Sequence, residues 1–488
     1  MRHQSPLSAD LPPLIMGTAT FNSQYNADPF ALPTTELVQR ALSRGIRAFD
    51  TSPYYGPAEE LLGRALATEF VQTNFPRDSY RLLTKVGRVS GASFDYSPAW
   101  VRHSVRRSLR RLHTEYLDVV YCHDVEFVSP AEVLAAVTEL RRLRDEEGLL
   151  RYVGISGYPV DVLSSLSEMI LQETGEPLDI VMSYANYTLQ NTRLRSLALP
   201  RLLAAGVDVV PNASPLGMGL LRRDGVPIGS MGDFHPAPDA LRTVIRSAAE
   251  CTAQSGEKLE VVAIRFALES WLRAGAKAGA LGAPLARSTD ADPGFLSVAN
   301  LGTGRRLGVS VMGVSNIDEL DETLRVWHSI LDGLESWVEG EEDDVDDDDD
   351  SHLDLEKELL SLEKPPLSPS SSSPTLQTGA VPSQSQAPAI LTPSEGLITD
   401  RAWSHTRRAK ILQLAKEVRD VLGSEWVDYV WASPPPNFQN TLSDDHIAAR
   451  RAMEAEEKES TMALPSPAAS DHDESMLTPP LDAEAQLA

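Results

Sequence analysis

Cysteine is scarce in this chain of 488 residues, which contains only Cys122 and Cys251. Two cysteines provide neither a disulfide framework nor the ligand spacing of a zinc site, so we expect no disulfide and no metal site. The sequence also lacks a run of about 18 apolar residues, the length that a membrane helix needs, and the apolar stretch of a secretory signal. These absences predict a cytoplasmic protein in a reducing compartment, with no membrane partner.

Positive charge is also in short supply. The net charge is −26, and residues 339–488 carry most of it, with 31 acidic against 11 basic side chains. Residues 1–338 are nearly balanced, with 39 acidic and 33 basic side chains. A surface that binds nucleic acid requires a basic patch. The sequence indicates no such patch, so no nucleic-acid partner is expected.

The dinucleotide fingerprint Gly-x-Gly-x-x-Gly does not follow the first predicted strand, which argues against a Rossmann domain. Instead, short apolar or β-branched runs alternate eight times with helical patterns. Such runs are typical of parallel strands buried on both faces, and the alternation predicts an α/β fold, a (β/α)8 TIM barrel. The strands are predicted near residues 13–18, 47–51, 81–86, 117–123, 152–156, 179–184, 207–213 and 309–314, with helices that include 35–44, 98–112 and 130–147.

Composition divides the chain further. The barrel is predicted over residues 1–338, interrupted by a Gly- and Ala-rich stretch at 274–306 that predicts a mobile loop. Residues 339–398 begin with a run of acids and continue with Pro and Ser, a composition typical of disorder. Residues 399–440 combine helical spacing with aromatic residues, which favours a segment that packs back on the barrel over an independent partner-binding helix. Residues 441–488 are predicted to be a disordered tail of unknown partner.

Asp50, Tyr55, Lys85 and His123 follow three successive predicted strands. In a TIM barrel the strand ends meet at one mouth, where catalysis occurs. The pKa of a free phenol is about 10, and a nearby ammonium lowers it. We therefore expect Lys85 to lower the pKa of Tyr55, Asp50 to hold Lys85, and His123 to orient a substrate oxygen. The matching hydride has to come from a cofactor, because no side chain carries one.

At these positions the chain resembles the aldo-keto reductase family. The matching motifs lie at residues 49–56, 84–86, 121–123, 153–157 and 311–316, within a resemblance that covers roughly residues 12–338. The motifs Ser-Tyr-Ala-Asn-Tyr and Asn-Ala-Ser-Pro-Leu are similar to the branch that contains fungal D-arabinose dehydrogenase and plant L-galactose dehydrogenase. The resemblance implies a TIM barrel, a nicotinamide cofactor and the four residues above as the catalytic tetrad.

The resemblance alone implies which residues bind the cofactor. Three positions depart from the family pattern: Gly157 replaces the usual Asn, Ser183 replaces the usual Gln of strand six, and Ala213 replaces the aromatic residue that stacks on the nicotinamide in many members. The implied cofactor-binding residues are Gly17, Thr18, Ser156, Ser183, Ser214, Leu216, Ser315, Asn316, Asp318 and Glu322.

The loop after the eighth strand predicts which cofactor is used. It carries four acidic residues between positions 318 and 322 and no base. Because a 2′-phosphate is bound best by a charge-assisted contact with a cation, this loop favours NAD over NADP. NADP remains the alternative, since Arg305 or Arg306 could supply the missing charge.

Together, the tetrad and the resemblance imply an NAD(P)-dependent oxidoreductase whose small-molecule partner is a sugar. The enzyme would oxidise C1 of a D-arabinose-like or L-galactose-like aldose to the lactone, with Tyr55 as the general acid/base. One alternative is a reductase of aldehydes or ketones that uses the same residues in reverse. A redox-sensing regulatory subunit is the other alternative.

Overall fold

Eight parallel strands close into a barrel in chain order, as the sequence predicts. The computed structural model describes residues 5–227, 232–281, 306–334 and 401–462. The predicted seventh strand is shorter than expected, because Val209 forms only an isolated bridge with Ile180. The strands are Leu14–Gly17 (β1), Ala48–Asp50 (β2), Arg81–Val86 (β3), Leu117–His123 (β4), Leu150–Gly157 (β5), Ile180–Tyr184 (β6), Asn212–Ala213 (β7) and Ser310–Gly313 (β8).

Helices surround the barrel, and side-chain caps start several of them. Ser97 accepts a hydrogen bond from the Trp100 amide, and Ser129 forms a capping box with Glu132, so both helices begin at the following proline. The helices are Thr34–Ser43 (α1), Ala58–Leu66 (α2), Glu69–Asn74 (α3), Pro98–Arg111 (α4), Pro130–Arg142 (α5), Val160–Thr174 (α6), Leu199–Ala204 (α7), Asp239–Gln254 (α8), Leu259–Ala274 (α9), Ile317–Leu334 (α10), Arg401–Trp426 (α11) and Asp444–Met462 (α12).

Two layers of apolar side chains hold the barrel together. The inner layer fills the barrel itself and includes Ile15, Leu83, Val119, Tyr121 and Val311. The outer layer lies between strands and helices. Full burial of one such aliphatic side chain stabilises the fold by about 1.5–3 kcal/mol. The packed interior therefore makes the barrel a rigid support, and the strand ends at its mouth are fixed in place.

The segment after position 400 returns to the barrel. Helix α11 packs against α8, α9 and α10, and its regular backbone is interrupted at Gly423, which has a left-handed φ of +63°. Residues 426–441, here called the C-terminal segment, then cross the loops at the mouth. Gln190 Nε2 donates hydrogen bonds to the carbonyl oxygens of Trp426 and Tyr429, at 2.7 and 3.0 Å.

The disordered tail predicted over 441–488 is wrong for its first part, because helix α12 occupies Asp444–Met462. The Ser443 hydroxyl accepts from the His446 amide at the start of α12, and Arg450 pairs with Glu454 one turn later at 3.7 Å. Such caps and i,i+4 pairs stabilise a polar helix without a hydrophobic face. Residues 463–488 lie outside the described residues.

The loop and linker predictions fall largely outside the described residues, which omit 282–305 and 335–400. Within 274–306, a short 3-10 helix covers Ala276–Ala278 and Ala280 bridges Leu307, and the mobility predicted for the rest of the loop stays a prediction. Among the helices that the structure describes, none is both long enough and apolar enough to cross a membrane. No cluster of acidic, His and Cys side chains suited to a metal ion occurs within the same residues.

Candidate active site

The Lys85 ammonium lies at the centre of the barrel mouth. It donates hydrogen bonds to Asp50 Oδ1 at 2.6 Å and to the Thr51 carbonyl oxygen at 2.9 Å. Its Nζ is 4.9 Å from the ring centroid of Tyr55. Asp50 ends β2 and Lys85 precedes the last residue of β3, and the two strands pair in register. Parallel pairing therefore brings together the carboxylate, the ammonium and the phenol that the sequence predicts at one site.

His123 closes the other side of the group. Its ring lies edge-on to Tyr55, with ring centroids 5.7 Å apart, and its Nδ1 is 3.1 Å from Ser52 Oγ. Ser52 Oγ accepts from the Tyr54 amide and can donate its own proton to Nδ1, an arrangement that places the imidazole proton on Nε2. Burial lowers the pKa of His123 to about 3. The imidazole is therefore neutral at physiological pH and can donate one hydrogen bond.

Burial raises the pKa of Tyr55 well above its ordinary value, and the charges of Asp50 and Asp124 raise it further. Arg88 opposes these effects. The sequence predicts the reverse direction, with Lys85 lowering the phenol pKa. In the protein without cofactor, burial and the two carboxylates outweigh any lowering by Lys85, so the predicted direction is not the net one. Tyr55 is accordingly a neutral phenol at pH 7.

A cavity of about 860 Å³ extends from the tetrad to the start of α10. Its volume lies within the range of small-molecule and cofactor sites. All four tetrad residues line it. Of the predicted cofactor-binding residues, the cavity is lined by Gly17, Ser156, Ser214, Leu216, Ser315, Asn316, Asp318 and Glu322.

Comparison with known proteins identifies this arrangement. Residues 13–333 match the model of the Aldo/keto reductase family. The chain belongs to the aldo-keto reductase family. Family members typically use NAD(P)H.

Three curated relatives are aldose dehydrogenases by name. D-arabinose 1-dehydrogenase of Saccharomyces cerevisiae is 42% identical over 269 residues, 55% of this chain and 78% of the yeast protein. L-galactose dehydrogenase of Arabidopsis thaliana is 36% identical over 234 residues, 47% of this chain and 68% of the plant protein. D-threo-aldose 1-dehydrogenase of a Pseudomonas species is 28% identical over 263 residues, 48% of this chain and 75% of the bacterial protein. These matches confirm the branch that the motifs indicate.

Two predicted cofactor residues of this family member do not reach the cavity. Thr18 is fully buried, and its hydroxyl donates to the Asp50 carbonyl oxygen at 3.1 Å. Ser183 is also fully buried, and its hydroxyl accepts from Asn186 Nδ2 at 3.0 Å. Both side chains fasten the end of a strand, so neither is available to a ligand in this arrangement.

The far end of the cavity carries two cations that sequence reasoning missed. Lys258, at the start of α9, lies 3.3 Å from Glu322, and Arg222 lies 3.5 Å from Glu319. Both bases line the cavity. They come from positions far from the loop after β8, and the sequence alone gives no signal that would bring them there.

Arg306 cannot supply the cofactor charge that the sequence suggested for it. Its guanidinium donates to Ser8 Oγ and Asp208 Oδ1, at 2.8 and 3.0 Å. Asp208 precedes β7, so this cluster lies at the end of the barrel opposite the mouth. Arg305 lies outside the described residues.

The wall of the cavity next to β7 has an unusual backbone. Four residues between positions 214 and 219 have left-handed φ values, among them Ser214 at +55° and Met218 at +57°. Only glycine adopts this region without cost, so two non-glycine cases mark a constrained segment. Ser214, Leu216, Met218 and Gly219 of this segment line the cavity.

Sequence reasoning also missed several residues of the mouth. Arg88 and Asp124 pair with each other and line the cavity beside the tetrad. Trp431 and Ser433 of the C-terminal segment line it as well. Arg88 and Asp124 follow Lys85 and His123 closely in the chain, which was a usable signal. The contribution of Trp431 and Ser433 depends on a long-range contact that no local pattern reveals.

Proposed function

We propose that this protein is an NAD(P)-dependent aldose 1-dehydrogenase, which oxidises C1 of a D-arabinose-like or L-galactose-like sugar to the lactone. The observation that carries the proposal is the contact of the Lys85 ammonium with Asp50 beneath the Tyr55 ring, with His123 edge-on to that ring. Relatives that share these motifs are named aldose dehydrogenases, which supports a sugar as the substrate.

The tetrad residues take separate roles in this reaction. His123 donates from Nε2 to the oxygen on C1 and fixes its position beside the phenol. Tyr55 exchanges the proton of that oxygen as the general acid/base. Lys85 stabilises the phenolate form, and Asp50 fixes the position of Lys85. When bound, NAD(P) supplies the hydride acceptor, since no side chain can take up a hydride.

Different residues of the cavity would hold the two ends of the cofactor. Ser156 and Ser214 would hold the nicotinamide end near the tetrad, and Leu216 would pack against it. Ser315 and Asn316 would hold the adenosine end near α10. Ala213 offers a small side chain in place of an aromatic one, so the ring would rest on other groups of the wall.

We propose NAD as the preferred cofactor. Arg222 and Lys258 reach the adenosine end, yet each is already paired with a glutamate. Asp318 and Glu260 add two further carboxylates to the same lining. Within the described lining of this end, four acids stand against two bases, and a 2′-phosphate would compete with Glu319 and Glu322 for their partners.

One observation favours a second candidate, a reductase of aldehydes and ketones. Burial raises the pKa of Tyr55 and so favours the protonated phenol over the phenolate. A protonated phenol is the form that donates to a carbonyl oxygen during reduction. The two candidate functions use the same residues. They differ in the direction of the hydride transfer and in the substrate that binds at the mouth.

Initial rates with a panel of aldoses and simple aldehydes, each with both cofactors, test the proposal. Aldose oxidation with a kcat/KM well above that for reduction of hydroxyl-free aldehydes supports the dehydrogenase. The reverse order would support the reductase. The rates of the Tyr55→Phe variant give the background in both directions.

A further inference from the structure

Arg88 and Asp124 form a buried ion pair beside the catalytic tetrad. The Arg88 guanidinium donates to Asp124 Oδ2, and the exposed fractions of the two side chains are 17% and 2%. Both residues line the cavity. The mechanism proposed above assigns neither of them a task. A charge pair inside a ligand cavity is expensive to desolvate, so its retention there calls for an explanation.

The surrounding side chains hold this pair in one orientation. The Arg88 guanidinium lies over the Tyr54 ring at 3.8 Å, with the Phe94 and Phe127 rings at 5.5 and 5.7 Å. Asp124 has a left-handed φ of +56°, which an aspartate adopts only at a cost in energy. Aromatic stacking and backbone strain together preorganise the donor and acceptor groups before a ligand arrives.

The C-terminal segment packs against the aromatic rings that surround Arg88. Phe94 and Phe127 stack at 4.7 Å, and Phe438 packs edge-on against both. Asn440 fixes Phe94 further, because its side chain bonds both the amide and the carbonyl oxygen of Phe94 at 2.8 Å. The loop that carries Arg88 is thereby clamped at its outer face.

The position of the pair indicates what it binds. Asp124 Oδ2 is 3.7 Å from His123 Nε2, the atom that orients the oxygen on C1. A group that lies next to Nε2 is within reach of the hydroxyl on the adjacent carbon of the substrate. A sugar hydroxyl donates one hydrogen bond and accepts others. It can therefore donate to the carboxylate of Asp124 and accept from the guanidinium of Arg88 at the same time.

We propose that Arg88 and Asp124 bind the C2 hydroxyl of the substrate and so select aldoses over carbonyl compounds that lack it. This inference rests on the proposed aldose dehydrogenase function. Trp431, which lines the same cavity, offers an apolar face to the C–H groups of the sugar ring. A hydrogen bond to a charged group contributes enough to discriminate roughly 10- to 100-fold against an analogue without the hydroxyl.

The test compares the best aldose of the panel with its 2-deoxy analogue, for example D-arabinose with 2-deoxy-D-ribose. We expect wild type to prefer the aldose by roughly 10- to 100-fold in kcat/KM. In Arg88→Gln and Asp124→Asn, which keep most of the side-chain volume, the preference falls to less than about threefold, mainly because the aldose rate falls. Arg201→Ala is the matched control, since Arg201 pairs with Glu168 on the outside of α7 and leaves the preference unchanged. Thermal unfolding confirms that each variant is folded.

The outcomes separate this inference from the proposed function. If wild type oxidises aldoses and both variants keep the full preference against the 2-deoxy sugar, the pair does not read the C2 hydroxyl and the inference is wrong. If the aldose and 2-deoxy rates fall equally in the variants, the pair serves the tetrad and not the sugar, which also overturns it. If wild type reduces hydroxyl-free aldehydes but oxidises no aldose, the proposed function itself fails.

Discussion

The hydroxyl of Ser433 donates a 2.8 Å hydrogen bond to Oε1 of Glu126, across 307 positions of the chain. The same oxygen accepts from the Tyr158 amide at 3.1 Å, and Trp431 stacks on the Tyr158 ring at 4.7 Å. One carboxyl group therefore connects the end of β5, the loop after β4 and the C-terminal segment. The other oxygen, Oε2, is buried and has no hydrogen-bond partner within the described structure.

The Glu126 carboxyl gives the stability of the protein a defined pH dependence. Burial, followed by the charge of the nearby Asp124, raises its pKa to about 8. A group whose pKa is higher in the folded state stabilises the fold below its unfolded value of about 4.3, and this contribution is lost as the pH rises toward 8. We expect wild type to lose more stability between pH 5 and pH 8 than Glu126→Gln. The free energy of unfolding of both proteins, measured with denaturant across this pH range, checks this prediction. A change of the same size in both proteins would contradict it.

Tyr55→Phe removes the proton-exchanging hydroxyl and leaves the ring. General acid/base groups contribute about 10²- to 10⁴-fold, so we expect turnover to fall by that factor in both directions while cofactor affinity is kept. Tyr54→Phe is the control, because Tyr54 neighbours His123 at 5.8 Å but stacks under Arg88. A larger loss in Tyr54→Phe than in Tyr55→Phe would show that the other tyrosine exchanges the proton.

The raised pKa of Tyr55 also sets the pH profile of the reaction. Oxidation needs the phenolate, whose fraction grows tenfold for each pH unit below the pKa. We expect kcat/KM for aldose oxidation to rise steadily from pH 6 to pH 9, while reduction, which needs the neutral phenol, stays level over this range. Initial rates in both directions measure these slopes. An oxidation rate that is level from pH 6 upward would mean that the bound cofactor or Lys85 lowers the phenol pKa below about 6.

Glu322→Gln frees the Lys258 ammonium, which Glu322 now pairs at 3.3 Å. A charge pair near a protein surface is worth about 4 kcal/mol at 4 Å before screening, and even a third of this amounts to about tenfold. We expect the ratio of the Kd for NADP to the Kd for NAD to fall roughly tenfold, measured by tryptophan fluorescence quenching. Asp321→Asn is the matched control, since it removes the same charge from α10 at a carboxylate that pairs with Arg40. An equal change in both variants would show that Lys258 does not face the 2′ position.

The sequence predicted the barrel and the tetrad because both follow from local signals. Apolar runs identify strands, and the register of parallel strands brings Asp50, Lys85 and His123 to one mouth without further information. The direction of the Tyr55 pKa was missed, because it depends on burial and on the charges of Asp50 and Asp124. The neighbourhood of Lys258 and Glu322 was missed for a related reason. Sixty-four positions separate them, and no periodicity encodes such a contact.

The C-terminal segment has a consequence for how the enzyme is made. Trp431 and Ser433 complete the wall of the cavity, yet more than 100 positions separate them from the end of β8 at Gly313. A ribosome that adds 5–20 residues per second needs roughly ten seconds to cover that distance. All eight strands therefore leave the ribosome well before the residues that complete the wall of the cavity.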